Sequence, residues 1–286
     1  MKKLIYFVII SLAIACTNKE KHADGGWDVT VSGKVKFPKE GGMVVTQELT
    51  PLGEPKKDTV QVNSDGTYSK TFHLTEAGYY RVNFYDLQLV DVILDHSNIE
   101  LNVDGNDQSG EIEIKGSPDY DLIRSVQEQL ALFDSQPEVN EVNTQYQDAK
   151  QKQQEDVAAS LLQKYLDLRE AYRDRIVDSL KSKPVGLGLI YLLEGNTFED
   201  KDRYYDFYKK VAEDGIAKTP NSIYIQQFRD MVGKMAVTAV GQPAPEISLP
   251  DPSGKIVTLS SFKGKYVLVD FWRNGVVHAA GKTPTL

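Results

Sequence analysis

The spacing of apolar residues changes at Ser117, and this change limits the fold more than any other feature of the sequence. Before Ser117, apolar and polar residues alternate in short runs, which is the pattern of strands with one buried face. After Ser117, apolar residues recur every three or four positions, which is the pattern of amphipathic helices. Strands and helices that are segregated along a chain of 286 residues predict an α+β protein of several domains.

Residues 28–116 are predicted to form a compact antiparallel β-sandwich. Turns rich in Gly, Asn and Asp separate the alternating runs, and these residues accept the backbone angles of tight turns. Regular spacing of such runs is typical of a sandwich. The predicted strands cover residues 29–31, 35–37, 43–45, 60–62, 68–72, 79–85, 87–94 and 99–103.

Residues 117–237 are predicted to form an all-α region. Ser117 followed by Pro118 is a helix-start signal, Gln136-Pro137 marks a break, and Pro184 ends a long amphipathic helix. Further helices are predicted over residues 186–193, over residues 202–212, and from a cap at residues 219–222 through Met235. The apolar stripes are Leu122, Val126, Leu130 and Phe133 on the first helix, and Val157, Leu161, Tyr165, Leu168, Tyr172, Ile176 and Leu180 on the long helix.

Residues 240–272 carry the most specific residue order in the chain. Two prolines favour an extended lead-in, residues 251–254 form a polar turn, and residues 256–259 form a short strand. Residues 266–272 are an almost unbroken apolar run of β-branched and aromatic residues. Such a run predicts a strand that is buried on both faces of a parallel or mixed sheet.

Four short motifs follow one another here: G-Q-P-A-P, a G-K turn, S-F-K-G-K and V-L-V-D-F-W. Their order resembles the start of membrane-associated thioredoxin-like proteins of the TlpA and ResA type, and less closely that of the peroxiredoxins. The resemblance implies that residues 238–272 are a fragment of a thioredoxin-like α/β domain. In that family the strand leads into W-C-x-P-C, a dithiol pair whose first sulfur is a stabilised thiolate at a helix N-terminus. Asp270 matches the family's buried acid, which assists proton transfer to the second sulfur, and Trp272 matches a residue that flanks the active site.

The dithiol pair is absent from this sequence, because residues 273–278 read Arg-Asn-Gly-Val-Val-His and no cysteine follows. The sequence therefore assigns no catalytic, cofactor-binding or metal-binding residue. If the possible codons of the tail are read after skipping two bases of the Arg273 codon, they permit Trp-Cys-Gly-Pro-Cys-Arg. We therefore expect residues 273–286 to be an out-of-frame tail, caused by the loss of one base beside the Trp272 codon in the gene or in its sequencing.

The N-terminus has the pattern of a secretory signal. Two lysines precede an apolar core that is too short to span a bilayer, and small residues precede Cys16, the only cysteine of the chain. This stretch resembles a bacterial lipoprotein cleavage site. The resemblance implies a signal peptide in residues 1–16, lipid on Cys16, a tether over residues 17–27, and a periplasmic or outer-membrane location in the cell envelope of a Gram-negative-type bacterium. The alternative is an ordinary signal peptide with an incidental cysteine.

The β-domain has a resemblance of its own. Its G-K-V opening, D-G-T-Y hairpin and Y-x-V strand resemble a domain of unassigned function that often precedes thioredoxin-like domains at the cell surface.

The charge of the chain bears on its partners. Lys and Arg number 33 against 41 Asp and Glu, which gives a net charge of −8 and argues against a general nucleic-acid-binding surface. The resemblances imply two partners instead: the membrane, through lipid on Cys16, and disulfide-bearing envelope proteins if a full-length form exists.

Other polar and aromatic groups have competing interpretations. Histidines 22, 73, 96 and 278 lack the spacing of a metal site or of a nucleophile with its base. The carboxylates of Asp91, Asp95 and Asp104 lack a calcium-loop pattern and are interpreted as strand-end groups, and those within residues 199–206 as a solvated helix start. The aromatic residues Tyr204, Tyr205, Phe207 and Tyr208 could line a ligand groove or pack between helices.

Two functions of different classes follow. The first is a truncated member of the cell-envelope thiol-disulfide oxidoreductase family, whose full-length relatives exchange disulfides through their dithiol pair. The second is a surface-anchored binding or scaffold lipoprotein that acts without chemistry, and the absence of the dithiol pair favours it for this chain. A peroxiredoxin would require a P-x-x-x-T-x-x-C stretch, and the D-F-W ending argues against it.

Overall fold

The computed structural model of the chain describes residues 24–50, 55–195, 197–198, 200–237, 239 and 242–270. The chain forms two compact units, residues 1–233 and residues 234–286. Sheets come first, helices follow, and a small sheet lies near the C-terminal side. The predicted α+β multidomain organisation is therefore confirmed at this level.

Within its described residues, the first unit begins with eight strands. Seven of them fall on predicted runs, and the eighth, a short edge strand, is not predicted by the alternation pattern. The strands are β1 (Trp27–Lys34), β2 (Met43–Glu48), β3 (Lys57–Gln61), β4 (Thr67–Leu74), β5 (Gly78–Phe84), β6 (Gln88–Leu94), β7 (Ile99–Val103) and β8 (Ile112–Lys115).

These strands form two four-stranded sheets with the spatial orders β4-β1-β7-β8 and β3-β2-β5-β6. All neighbouring pairs are antiparallel except β1 and β7, which run parallel with Val31 opposite Ile99. The prediction of a wholly antiparallel sandwich is therefore wrong for the first sheet. The chain leaves β1 for the second sheet and returns to the first sheet twice, and alternation within a run carries no information on strand direction.

The core of the sandwich lies between the two sheets. Alternate side chains of both sheets point into it, and Val29, Leu101, Val44 and Phe84 are completely shielded from solvent. The buried Tyr68 hydroxyl donates a hydrogen bond to the carbonyl oxygen of Leu101 at 2.6 Å, so this polar group is satisfied inside the core. The period of two in the sequence therefore assigns the buried face correctly.

The predicted run at residues 35–37 is wrong beyond its first residue. Val35 is fully buried and makes an isolated bridge with Val103, but Phe37 is 48% exposed. The Val35 amide donates to the Gly66 carbonyl oxygen at 2.8 Å, whereas the Lys36 and Phe37 amides donate to the Val103 and Asp104 carbonyl oxygens at 2.9 and 3.0 Å. The backbone contact with the end of β7 therefore continues without the regular alternation of a strand.

Helices follow the two sheets along the chain. Ser117 caps the first of them, since its hydroxyl oxygen accepts a hydrogen bond from the Tyr120 amide at 3.2 Å, and Pro118 stands at the first helical position. The second helix, which begins at Pro137, is not predicted from the sequence. The helices are α1 (Pro118–Ala131), α2 (Pro137–Gln151), α3 (Glu155–Leu180), α4 (Leu187–Glu194), α5 (Tyr205–Lys218), which follows a 3-10 turn (Asp202–Tyr204), and α6 (Ile223–Met235).

The apolar stripe predicted for α3 is correct at its C-terminal end and wrong at its start. Ile176 and Leu180 are buried, whereas Val157 is 48% exposed. The small Ala158 is buried instead, so the stripe is displaced by one residue at this end.

The second unit contains a hairpin. Strands β9 (Ser248–Pro250) and β10 (Ile256–Thr258) are antiparallel and are followed by a 3-10 turn (Leu259–Phe262). The predicted polar turn and short strand are confirmed. Residues 266–270, in contrast, form no strand, because no neighbouring strand offers them hydrogen bonds within the described residues.

No helix among the described residues is both long enough and apolar enough to cross a bilayer.

Candidate functional site

Several of the predicted site residues lie outside the described residues. They are Cys16, Trp272, His22, His278 and the tail at residues 273–286.

Asp270 does not occupy a buried site. Its side chain is exposed, which corrects the buried acid implied by the family resemblance. The residues before it alternate in exposure, since Val267 and Val269 are 43% exposed whereas Leu268 is 94% exposed. Residues 267–270 border an open cleft of about 340 Å³ together with residues of the hairpin. The alternation in exposure shows that the side with Val267 and Val269 is the more covered one.

The hairpin of the second unit is held by two carboxylates. Asp251 Oδ1 accepts hydrogen bonds from the amide of Ser253 at 2.8 Å and from the amide of Lys255 at 3.1 Å, which fixes the turn. Glu246 Oε1 accepts the Ser260 amide at 3.1 Å. The side chains of Ser253 and Ser260 lower the pKa of Asp251 and of Glu246 most, and the amide bonds lower both further, because each hydrogen bond stabilises the ionised carboxylate.

The interpretation of Asp91 as a strand-end group is wrong, because it lies in the middle of β6, but Asp91 and Asp104 both have structural partners. Asp91 on β6 forms a two-pronged ion pair with Arg81 on β5, at 2.6 and 2.8 Å. Asp104 Oδ1 accepts the amides of Asn106 and Asp107 in the loop after β7. Among the described residues, no group of three His, Cys, Asp or Glu side chains could hold a metal ion.

Of the aromatic residues at the start of α5, one packs between helices and two line an open cleft. Tyr208 is fully buried, stacks on Phe228 at 6.0 Å and donates to the Leu193 carbonyl oxygen at 2.9 Å. Tyr204 and Phe207 border an open cleft of about 460 Å³. Burial and a hydrogen bond to Asp174 raise the pKa of Tyr204 to about 12.

Tyrosines join the second sheet to the helices within the first unit. The Tyr79 hydroxyl donates to the Leu187 carbonyl oxygen at the start of α4, at 2.9 Å. Its ring meets Tyr224 of α6 edge-on at 4.9 Å, and the Tyr224 hydroxyl donates to the Leu49 carbonyl oxygen at 3.3 Å. Burial raises the pKa of Tyr79, so this hydroxyl remains a neutral donor.

Asp119 connects α1 with the N-terminus of α4. Its Oδ1 accepts the Gly188 amide at 2.9 Å, so one helix supplies the cap of another. Burial raises the pKa of Asp119. The approach is so close that a Cβ on Gly188 would lie 2.8 Å from the Asp119 Cα.

His73 lies between two carboxylates on the solvent side of the first sheet. Its Nδ1 is 2.9 Å from Asp28 Oδ1, and its Nε2 is 2.8 Å from Asp24 Oδ2. Because its two ring nitrogens bind different carboxylates on opposite sides, the three groups do not converge on a single point. Asp24 also accepts the Gly26 amide at 2.8 Å through its other oxygen.

Sequence reasoning missed the tyrosine contacts, the Asp119 cap and the carboxylates around His73. Each joins residues far apart in the chain, such as Asp119 and Gly188 at a separation of 69. Two glycines close together before an apolar run, at positions 186 and 188, were the available signal for a close helix approach.

Residues 29–123 match the family described as Domain of unknown function (DUF4369). The match spans the two sheets and the first residues of α1, and its description assigns no activity. No curated protein and no solved structure matches the chain.

Proposed function

We propose that the chain carries the beginning of a cell-envelope thiol-disulfide oxidoreductase domain of the thioredoxin-like TlpA and ResA type. This domain follows the sandwich and the helices along the chain. The dithiol pair is absent from the 286 residues. Because thiol exchange requires a thiolate, the chain with this sequence is expected to have no reductase activity.

The order of elements in the second unit carries this proposal. An exposed lead-in with Pro243 and Pro245 precedes the β9–β10 hairpin, the 3-10 turn follows, and the extended apolar residues 266–270 come next. The same order of lead-in, G-K turn, S-F-K-G-K and D-F-W strand is what resembles the family. The exposure of residues 267–269 alternates, with Val267 and Val269 more covered than Leu268, which is the period of a strand.

The chemistry of the proposed family needs groups that this chain does not provide. A first thiolate attacks a substrate disulfide to give a mixed disulfide. A second thiol then attacks the mixed disulfide and releases the reduced substrate, and an acidic side chain assists the proton transfer at the second sulfur. Of the groups that react, only the acid has a counterpart in this chain, Asp270, and its side chain is exposed.

Lipid on Cys16 is the proposed anchor. A secretory signal that ends directly before the only cysteine supports it. An anchored body would place a thiol-exchange domain beside disulfide-bearing proteins of the envelope.

Sequencing the gene tests the proposal. We expect one missing base beside the Trp272 codon, after which the frame continues through Trp-Cys-Gly-Pro-Cys-Arg. An uninterrupted frame that encodes Arg273 onward, with no site for a missing base, contradicts it.

A non-catalytic scaffold or binding lipoprotein is the second candidate. The contacts of Tyr79 with Leu187, and of Tyr224 with Leu49, favour it, because they join the sandwich and the helices within one compact unit that does not include the β9–β10 hairpin. The uninterrupted gene described above, together with a membrane-bound product, is the result that supports this candidate.

A further inference from the structure

The hydrogen bonds of His73 require a doubly protonated ring. Its two ring nitrogens face Asp28 Oδ1 and Asp24 Oδ2, and ionised carboxylates only accept hydrogen bonds. A neutral imidazole has one N–H, so its other nitrogen would point a lone pair at a carboxylate oxygen less than 3 Å away. One of the two contacts must therefore break when the ring loses its proton.

The two contacts are held with different strength by the surrounding backbone. Asp28 lies on β1 directly opposite His73 on β4, and the antiparallel ladder fixes both residues. Asp24 precedes β1, and within the described residues its hydrogen bonds are to His73 and to the Gly26 amide. Of the two contacts of His73, the one with Asp24 is therefore the one that can break.

We propose that Asp24, Asp28 and His73 form a proton-dependent latch that fastens the segment before β1 to the edge of the first sheet. With the ring charged, Asp24 is held and in turn holds the Gly26 amide. With the ring neutral, Asp24 separates from His73, and residues 24–26 detach from β4 while β1 stays in the sheet. The latch controls how the first described residues leave the sandwich, independently of any thiol chemistry.

The charges around the ring set the pH range. Asp24 and Asp28 are the charged groups that act on His73 among the described residues, and they raise its pKa above 6.5, with the Asp24 hydrogen bond as the largest cause. The neighbouring pair on the same face, Thr30 and Thr71, is uncharged. A histidine whose pKa is raised in the folded state contributes its stabilisation fully below 6.5 and loses it as the pH rises through the folded value. The latch is therefore closed in mildly acidic and near-neutral solution and opens on the alkaline side; the bond to His73 lowers the pKa of Asp24, so this carboxylate loses its charge only in stronger acid.

Backbone NMR relaxation of the full chain at about pH 6 and about pH 9.5 tests the latch. We expect the order parameter of Gly26 to fall from about 0.85 to below about 0.6 between the two conditions, while Val29 stays near 0.85 at both. The fall should follow the titration of the His73 ring nitrogens. An equal order parameter of Gly26 at both pH values would overturn the proposal.

Two substitutions of Asp24 separate a latch from a merely structural contact. Asp24→Asn keeps one acceptor and gains one donor. With its oxygen on the Gly26 amide, its NH₂ group can bond a neutral ring but not a doubly protonated one, so Gly26 should be ordered at about pH 9.5 and mobile at about pH 6, the reverse of the wild type. Asp24→Ala removes the partner, and Gly26 should be mobile at both. His96→Gln is the control, because His96 is a second histidine near this segment, with its ring centroid 4.0 Å from that of Trp27. This substitution should leave the wild-type transition unchanged. A wild-type transition that persists in Asp24→Asn, or that disappears in His96→Gln, would contradict the assignment to His73.

Discussion

At the scale of residues, the contacts that hold the first unit together join positions far apart in the sequence. Asp119 caps α4 across 69 positions, and the same close approach requires a glycine at position 188. Composition and periodicity reveal neither partner, because they describe each segment separately. The pairing of His73 with Asp28 depends in the same way on the register between β1 and β4, which alternation alone does not determine.

Gly188→Ala tests the close approach of α1 and α4. A Cβ at this position would lie 2.7 Å from Asp119 Oδ1 and 2.8 Å from the Asp119 backbone. We expect a loss of about 1–3 kcal/mol in the free energy of unfolding, measured by urea denaturation.

Gly233→Ala is the matched control for this substitution. Gly233 also lies in a helix, and a Cβ there meets nothing within 4 Å. It should be neutral or stabilising by up to about 1 kcal/mol, because alanine favours helices. Equal effects of the two substitutions would show that the α1–α4 approach tolerates a side chain.

At the scale of elements, the sequence predicts those whose burial pattern is strong and misses those whose pattern is weak. Seven strands and the long α3 follow from their periodicity, whereas α2 and the edge strand β8 do not. The buried residues of α2, Val139, Val142 and Ala149, are few and are surrounded by polar residues. The parallel pairing of β1 with β7 escaped prediction because strand direction is set by how the chain crosses between sheets.

The predicted strand over residues 266–272 shows how an element depends on its neighbours. Its apolar residues are those of a buried strand, yet Tyr266 and Leu268 are fully exposed and no partner strand is present among the described residues. Exposed apolar segments with unpaired backbone groups favour aggregation.

Limited proteolysis tests this view of the second unit. Residues 242–246 are exposed and lack regular structure, so cleavage should begin there and remove the chain beyond about residue 238. A resistant fragment covering roughly residues 28–236 should remain, and a chain ending there should give a higher soluble yield. Hydrogen-exchange protection of residues 248–258 equal to that of β1 would contradict this expectation.

At the scale of the whole molecule, the two units differ in what supports them. The first has a shared sandwich core and aromatic contacts that tie its second sheet to its helices. The second shows a hairpin and an extended segment, whereas a thioredoxin-like domain needs on the order of 100 residues to close its core. The hypothesis that this unit begins a thiol-disulfide oxidoreductase domain rests on the resemblance of its residue order. The prediction of a sandwich, in contrast, rests on the periodicity of apolar residues.

The proposed anchor predicts a change in location. Cys16→Ser should release the protein from membranes into the soluble fraction, because several acyl chains on one residue supply the membrane affinity. Fractionation followed by mass spectrometry of the mature N-terminus measures this. An unmodified mature chain that begins at another residue would rule out the lipid.

Reduction of insulin disulfides tests the central claim most directly. Residues 17–286 should show no turnover above a cysteine-free control, because they contain no thiol. The protein made from the gene with the proposed base restored, including the complete downstream domain, should reduce insulin and should lose this activity when either cysteine of its new pair is replaced by serine. Turnover by residues 17–286, or a folded frame-restored protein that does not reduce insulin, would contradict the account.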